Sequence, residues 1–401
     1  MPANNLTVNQ ISTVLNSIVS QATGQAQITP TNGAEFITVA QTGLKAGYEN
    51  LMGAVSQVLS RTIFANRPYT RKFKGLEADS IRYGNHVRKI NYIDGTWQDN
   101  GYLPITDDVA VDQQKPIKPK VLQTNYYGQD DYEIQWTLFR DQLYTAFQSP
   151  DELGSFITGQ VQNISDRVEQ KHETLARAVL CNLISGIYTI GNANQIVHAL
   201  TEYNAATGLK LTSKTVYNPD NFPSFMRWLY ARITSISSML TERSIIYHQN
   251  VAGKDIPRHT PTMYQRCYLY APTRYQTAAN VLSTTYHDNY LNMPVTETVN
   301  FWQSINSPDE INMTPVYMDK TGDLKSPEAP VSISNLFGII TDVETAGYTI
   351  CNNRSAGYTI CNNRSTSAPY NGRGEYQNFW MKFTDRYWND FTENAVIVLL
   401  D

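Results

Sequence analysis

The sequence predicts a mixed α+β fold, and three observations carry the prediction. Residues 149 to 186 form one long helical pattern. Between about residues 67 and 135, apolar and polar residues alternate as they do in strands, and the chain closes on an apolar run, NAVIVLLD, typical of a buried strand. Because 401 residues exceed the length at which a single core usually stops growing, two or more subdomains are expected.

Composition favours a subunit of an assembly. Charged residues make up 17% of the chain, against about 25% in an average soluble protein, so much of the surface must be neutral polar or packed on another molecule. The 26 tyrosines against 13 phenylalanines suit protein interfaces, and they suit a sugar-binding protein equally well. A formal net charge of -4 provides no global basic field, so any contact with DNA has to be local.

The termini and cysteines predict a chain made in the cytoplasm. The N-terminus lacks a basic n-region and an apolar h-region, and no run of about 18 apolar residues predicts a membrane span. The four cysteines contain no CxxC pair and predict no disulfide framework.

The first 64 residues predict a polar arm with two helices. Val8, Ile11, Leu15 and Ile18 recur at helical spacing, and a second helical pattern ends before the RPY at 67–69. Such an amphipathic arm requires a partner surface.

Residues 65–135 predict an extended β loop, with a hairpin turn at Asp94-Gly95 between VRKINYI and TWQDNGYL. Its first half is basic with interleaved aromatics, which would suit a nucleic-acid groove. An acidic block follows directly, so contact between subunits is the favoured interpretation. The predicted inter-subunit contacts, including two from the long helix, are Arg71, Lys72, Lys74, Arg88, Lys89, Trp97, Asp107, Asp108, Glu169 and Arg177.

The long helix has a marked start. Ser149 and Glu152 form a capping-box pair, Gly186 is the predicted stop, and the length is roughly 50 Å at about 1.5 Å per residue. The apolar stripe is interrupted at Lys171 and His172, which predicts a charged face open to solvent or to a neighbour.

The sequence contains no motif that indicates a catalytic, metal or cofactor site. His172-Glu173 begins like a zinc-protease HExxH, but Ala176 stands where the second ligand would be needed, and an exposed charged face explains both residues. The carboxylates of GQDDYE, residues 128–133, predict a solvated acidic turn rather than a cation site.

One decapeptide, AGYTICNNRS, occurs twice without a mismatch, at 346–355 and 356–365. Each copy predicts a short strand and a turn, so either copy could occupy the same strand position. A metal clip through Cys351 and Cys361 would need at least two more ligands, which favours simple loop extension.

Several segments resemble major capsid proteins of tailed bacteriophages, in particular those of gut phages. They are VLSRTIFANRPYTRKFKG, YGNHVRKINYIDGTW, KPKVLQTNYYGQ, FRDQLYTAFQSPDELGSFITGQVQN and FTENAVIVLLD. The order of arm, β excursion, long helix, α/β region and terminal strand resembles the Hong Kong 97-like fold. The resemblance covers most of the chain and is weakest at about 187–220 and 300–375.

The resemblance implies a domain plan and a function. The plan is an N-terminal arm (1–64), an extended β loop (65–135), a peripheral domain (136–215) with a spine helix at 150–185, an axial domain (216–375), and terminal strands that return to the core (376–401). The implied function is structural, as a virion protein that self-assembles into hexamers and pentamers of an icosahedral shell. The implied partners are other copies of itself, a portal, a separate scaffolding protein and double-stranded DNA on the inner face. Assembly would take place in the bacterial host cytoplasm, without membrane, cofactor, catalysis or covalent crosslink.

Two alternatives stay open from the sequence. An encapsulin-like compartment shares the fold but encloses protein cargo. A Tyr-rich carbohydrate-binding or tail-associated virion protein would be mostly β, without a long central helix.

Overall fold

The computed structural model describes residues 8–24, 33–45, 54, 69–78, 87–93, 120–282, 295–350, 365–367 and 369–401. The α-helices in these ranges are α1 Val8–Thr23, α2 Gly33–Lys45, α3 Arg140–Ala146, α4 Pro150–Ile190, α5 Ala199–Thr207, α6 Phe222–Met239 and α7 Ala271–Leu282. The strands are β1 Val87–Ile93, β2 Lys120–Tyr126, β3 Gly128–Phe139, β4 Ile196–His198, β5 Gln265–Tyr270, β6 Val295–Val299, β7 Ile311–Met313, β8 Tyr317–Met318, β9 Leu324–Lys325, β10 Val331–Ile333, β11 Leu336–Asp342, β12 Ala346–Ile350, β13 Ser365–Ser367, β14 Tyr376–Asn389 and β15 Ala395–Leu399.

Helix α4 confirms the predicted long helix and extends it to 41 residues, or about 60 Å. Its start is the predicted one, since the Ser149 hydroxyl accepts a hydrogen bond from the Glu152 N–H at 3.2 Å. The predicted stop at Gly186 is wrong, because the helix continues to Gly191, whose φ of 70° is left-handed. Gly186 instead allows close packing, since a Cβ there would lie 2.5 Å from the Phe391 ring.

The two halves of α4 serve different cores. The first half, with Leu153 and Ile157, packs with α1, α2, β3 and β14. The second half, from Leu175 to Ile187, packs on a five-stranded sheet. The apolar face of α1 is covered within this cluster, where Leu15 is fully buried. The partner surface that the arm requires is therefore supplied, for α1, by the chain itself.

The five-stranded sheet, called here the central sheet, has the order β4-β15-β11-β5-β6. It is mixed, because β15 runs parallel to β4 and β5 parallel to β6, while β11 is antiparallel to both of its neighbours. Helix α4 covers one face, and α5 and α6 cover the other. Every residue of β15 is buried, which confirms the predicted terminal strand.

A second sheet, called here the lateral sheet, is built around the 14-residue strand β14. Strand β3 pairs antiparallel with one edge of β14 from Tyr376 to Tyr387, and β12 and β13 occupy the other edge. The carboxylates of GQDDYE lie in β3, so the predicted acidic turn is wrong. They are paired instead: Asp130 lies 2.9 Å from Lys171, and Asp131 accepts from the Thr384 hydroxyl.

The segment VRKINYI is confirmed as a strand, β1, and its partner is β2 in an antiparallel pair. The turn at Asp94-Gly95 and the segment TWQDNGYL lie outside the described residues. The domain boundaries proposed at 64, 135, 215 and 375 stay predictions.

Candidate assembly elements: a buried ionic network and an anchored hairpin

A buried ion pair lies where the apolar stripe of α4 is interrupted. Glu169 is only 1% exposed, and its carboxylate lies 2.5 Å from the Arg71 guanidinium and accepts the Arg71 backbone N–H at 3.2 Å. Arg71 also pairs with Glu77. Burial by itself would lower the pKa of Arg71, but Tyr348, Glu169 and Glu77 outweigh it and raise that pKa. The segment at 69–78 is thereby fixed across the middle of the helix.

One turn further along α4, Glu173 and Arg177 extend the network. Glu173 accepts hydrogen bonds from the Tyr69 hydroxyl at 2.7 Å and from Arg177 at 2.9 Å. Burial would raise the pKa of Glu173, yet these donors and the Lys72 N–H lower it. The Arg177 guanidinium lies 3.9 Å from the Phe301 ring centroid and donates to the Phe301 carbonyl, so it ties a third segment to the helix.

His172 is buried, and the sequence interpretation of an exposed charged face is wrong for this residue. Its Nε2 lies 3.2 Å from an Asp385 carboxylate oxygen on β14 and 3.1 Å from the Tyr132 hydroxyl on β3. The polar break in the stripe therefore faces polar groups of the lateral sheet, although the buried Nδ1 of His172 has no hydrogen-bond partner among the described residues.

A second cluster fixes the β1–β2 hairpin to the body. Lys89 on β1 places its Nζ 2.7 Å from Glu393, 2.9 Å from Asp390 and 2.9 Å from Glu344. Burial opposes the charge of Lys89, but the acidic groups outweigh it and raise the pKa. Burial would raise the pKa of Asp390, but Lys89 and hydrogen bonds outweigh it and lower that pKa. For Glu393 burial is the largest effect, and the pKa of this carboxyl is raised. The Arg258 guanidinium lies 3.1 Å from the Glu393 carboxylate and donates a hydrogen bond to the Asn91 side-chain oxygen at 3.3 Å, so it connects the acidic segment to β1.

The opposite face of the hairpin is exposed. Side chains alternate along both strands, so Lys89 points to the body while Ile90 points away with 51% of its surface exposed. Val121 lies on the same outer face and is 48% exposed. A strand pair that is anchored by one face and carries branched aliphatics on the other is suited to contact with another molecule.

A cleft of about 560 Å³ adjoins the anchoring cluster. Its walls carry both signs of charge, from Arg243, Arg258, Asp342, Glu344 and Glu393. Burial raises the pKa of Asp342. Among the charged side chains of the cleft, Arg258 pairs with Glu393, Glu344 pairs with Lys89, and Asp342 accepts a hydrogen bond from the Thr260 hydroxyl. The cleft offers charge complementarity rather than a nucleophile with its base.

The described residues hold no group of three or more His, Cys, Asp or Glu side chains placed to bind a metal ion. Cys181 and Cys267 are buried free thiols, and burial raises the pKa of each to about 12. No helix in the described ranges is long and apolar enough to cross a membrane.

The structure places seven of the ten predicted contact residues. Four are largely buried in contacts within the chain: Arg71, Lys89, Glu169 and Arg177. Three are exposed: Lys72, Lys74 and Arg88. Three lie outside the described residues: Trp97, Asp107 and Asp108. Contact of any of the ten with a neighbouring subunit stays a prediction.

Sequence reasoning missed the acidic partners Asp385, Asp390 and Glu393. Asp390 and Glu393 lie between β14 and β15, directly before the buried run AVIVL. Carboxylates that border a fully apolar strand are a signal of buried pairing, because an unpaired charge there would be costly.

The fold is similar to those of chains in solved structures of phage capsids and virions. A chain of the capsid structure of Staphylococcus phage Andhra superposes with a TM-score of 0.55 at 10% identity, over 85% of this chain and 87% of that one. A chain in the structure of head fiber and inner core protein gp22 of native bacteriophage P68 gives 0.52 at 11% identity, with the same coverage. At such identities the likeness shows the fold alone, a phage capsid-like mixed α/β fold.

Among curated protein sequences, none matches the chain. A family model does match, over residues 15–399, and its description is Phi29-like phage major capsid protein. The match takes in the long helix, both sheets and the anchored hairpin. The chain therefore belongs to the Phi29-like phage major capsid protein family.

Proposed function

We propose that this major capsid protein forms an icosahedral shell of hexamers and pentamers around double-stranded DNA, and that its fold is of the Hong Kong 97-like type. The carrying observation is the β1–β2 hairpin, anchored through Lys89 on one face and exposed at Ile90 and Val121 on the other. A rigidly held surface loses little conformational entropy when it binds, so it suits an interface repeated many times in one shell.

The charge distribution supports this proposal. Arg71, Glu169 and Lys89 are paired inside the subunit, so these three charges do not repel identical neighbours. Of the predicted contact residues, Lys72, Lys74 and Arg88 are exposed, and we propose that these three contact acidic groups of adjacent subunits.

The proposal extends to partners and location. Assembly takes place in the bacterial cytoplasm with a separate scaffolding protein and a portal, and the inner face meets packaged DNA. No residue is assigned a catalytic role. An encapsulin-like compartment is the alternative in the same structural class, and the content of purified particles separates the two.

The decisive experiment expresses the chain alone and together with its phage neighbours, followed by negative-stain microscopy. The proposal expects closed shells with the neighbours present, and nuclease-protected double-stranded DNA inside particles from infected cells. Soluble monomers under both conditions, or particles filled with protein cargo, would contradict it.

A surface variant tests the hairpin directly. Ile90→Asp places a charge on the outer face without touching the Lys89 anchor, so the subunit should fold with unchanged circular dichroism while shell yield falls at least about tenfold, because an unpaired charge would be buried at every repeated contact. The matched control is Leu324→Asp on the separate β8–β9 hairpin, where the wild-type leucine is also exposed. Normal shells from Ile90→Asp would remove the outer face from the interface.

A further inference from the structure

An exposed asparagine-glycine pair lies in the turn that leads into β14. Asn371 and Gly372 open the segment NGRGEY, residues 371–376, and both are exposed. The backbone N–H of Asn371 donates to the Tyr376 carbonyl at 2.9 Å, so the turn closes on the first residue of the strand. A glycine after an asparagine leaves the next backbone nitrogen free to approach the side-chain amide, because it carries no Cβ to hinder the approach.

The side-chain oxygen of Asn371 is held by two backbone donors. Its Oδ1 accepts the Arg373 N–H at 3.1 Å and the Gly374 N–H at 2.9 Å. Two N–H groups on one amide oxygen withdraw electron density from Cγ and stabilise negative charge that develops on the oxygen. The turn therefore has the arrangement of an oxyanion hole, in which fixed donors face the atom that becomes charged.

The side-chain nitrogen of Asn371 faces a hydroxyl group. Its Nδ2 donates to the Tyr376 hydroxyl at 3.3 Å. When Cγ becomes tetrahedral, this nitrogen gains a lone pair and can accept a proton from the same hydroxyl, as a leaving amine requires. The Tyr376 ring is itself in contact with Phe139 on β3, at 5.8 Å between ring centroids, so the neighbouring strand helps to position the hydroxyl.

We propose that Asn371 deamidates in the folded subunit and that its own turn is the catalyst. The Gly372 nitrogen loses its proton to water and attacks Asn371 Cγ, which closes a succinimide ring. The bond from Cγ to Nδ2 breaks, and ammonia leaves with a proton from the Tyr376 hydroxyl, which water then restores. Water opens the ring, so asparagine plus water gives ammonia plus aspartate or isoaspartate, the isomer whose main chain runs through Cβ.

The turn favours aspartate over isoaspartate. A carboxylate at position 371 accepts the same two N–H groups, and hydrogen bonds to an ionised acceptor are shorter and stronger. Isoaspartate would lengthen the main chain within the loop that the Asn371 N–H closes on Tyr376, and so would disturb the start of β14. The reaction therefore adds a negative charge to each subunit at this end of the lateral sheet.

The test follows position 371 by peptide mapping and mass spectrometry while the purified full-length chain is incubated at mildly alkaline pH. The amide should be replaced by a carboxyl group with time. Gly372→Ala should convert at least about tenfold more slowly, because a methyl group hinders the attacking nitrogen. This variant should keep the wild-type circular dichroism and thermal midpoint, since a Cβ there meets no described atom within 4 Å and the φ of Gly372 is not left-handed.

Two further measurements separate the effect of the turn from that of the dipeptide. Tyr376→Phe keeps the ring beside Phe139 and removes only the hydroxyl, so conversion should slow by at least about threefold. A synthetic peptide of residues 369–378 has the same dipeptide without the fold, and it should convert more slowly than the folded chain and yield a larger share of isoaspartate.

Three results would overturn the proposal. The first is an Asn371 that remains an amide in the folded chain while the peptide converts. The second is an equal rate for the wild type and Gly372→Ala, which would exclude attack by the Gly372 nitrogen. The third is a peptide that converts as fast as the folded chain, which would show that the turn is not the catalyst.

Discussion

The central and lateral sheets bury their strands in different ways. In the central sheet β15 is buried at every position and β11 at six of its seven, because helices cover both faces. In the lateral sheet β14 alternates: Phe379, Met381 and Phe383 are buried, while the residues between them are partly or fully exposed. The central sheet is buried on both faces, whereas the lateral sheet is buried on one face and has a polar outer face.

The difference shows how one chain combines a fully buried sheet with a sheet that has one exposed face. The lateral sheet carries on its outer face charged pairs such as Lys382 with Glu133, at 4.0 Å. The central sheet carries aliphatic side chains on both faces. The segment between the two sheets, residues 390–394, carries the carboxylates that bind Lys89. The hairpin is therefore anchored at the junction of the sheets.

The largest expected effect is in the central sheet. Val398→Asp and Ile397→Asp should each destabilise the subunit by more than about 4 kcal/mol and abolish shells, although the two side chains face opposite ways. Soluble yield and negative-stain microscopy measure this. Normal assembly of either variant would show that one face of the sheet is not core.

In the lateral sheet, severity should alternate instead. Phe379→Ala removes a ring stacked 5.5 Å from Trp136 and should cost about 3 to 5 kcal/mol. Lys382→Ala, on the exposed face, should cost less than about 0.5 kcal/mol. Urea unfolding measures the loss of stability in both variants. Losses of similar size would mean that the outer face of the lateral sheet is also packed.

At the junction, Lys89→Gln should destabilise by about 3 kcal/mol, because Asp390 is left buried without its cation. The matched control is Lys72→Gln, an exposed lysine, with an effect below about 0.5 kcal/mol. Urea unfolding at neutral pH measures both values.

The loss in Lys89→Gln should depend on pH. In the wild type the lowered pKa of Asp390 means that its stabilising charge is present above the usual carboxyl pKa and is lost as pH falls through the folded-state value. In the variant, burial without Lys89 raises that pKa, so the variant gains stability as pH falls through it. The difference in free energy of unfolding between the wild type and Lys89→Gln should therefore narrow from pH 7 toward about pH 4. A difference that stays constant with pH would show that the charge of Asp390 is not its cause.

The smallest effects compare two glycines of α4. Gly186→Ala, beside Phe391 and the central sheet, should destabilise by about 1 to 3 kcal/mol through overpacking. Gly159→Ala has open space around its Cβ and should stabilise by about 0.5 to 1 kcal/mol through helix propensity. Thermal midpoints that move in opposite directions would confirm the contrast, and a shift of the same sign would refute it.

Local patterns made part of the fold predictable. Ser149 and Glu152 marked the start of α4, and the run around Ile397 predicted a buried strand, because capping and burial leave signatures within a few neighbouring residues. Gly186 was misread because a close approach by Phe391 leaves no trace in the adjacent sequence.

The candidate site was less predictable. The sequence predicted Arg71, Lys89, Glu169 and Arg177 as contact residues. It could not identify the groups they pair with, since these partners lie up to about 300 residues away along the chain. His172 looked exposed because its neighbours on the helix are charged, whereas Asp385 and Tyr132 approach it from other elements.

The sequence by itself determined where α4 begins, that the run AVIVL is a buried strand, and that one decapeptide is present twice, because each of these is written in neighbouring residues. The tertiary structure decided which charges are neutralised within the subunit and which face of the hairpin stays open. The physical reason is that burial and pairing depend on distances in space, and residues distant along the chain set those distances.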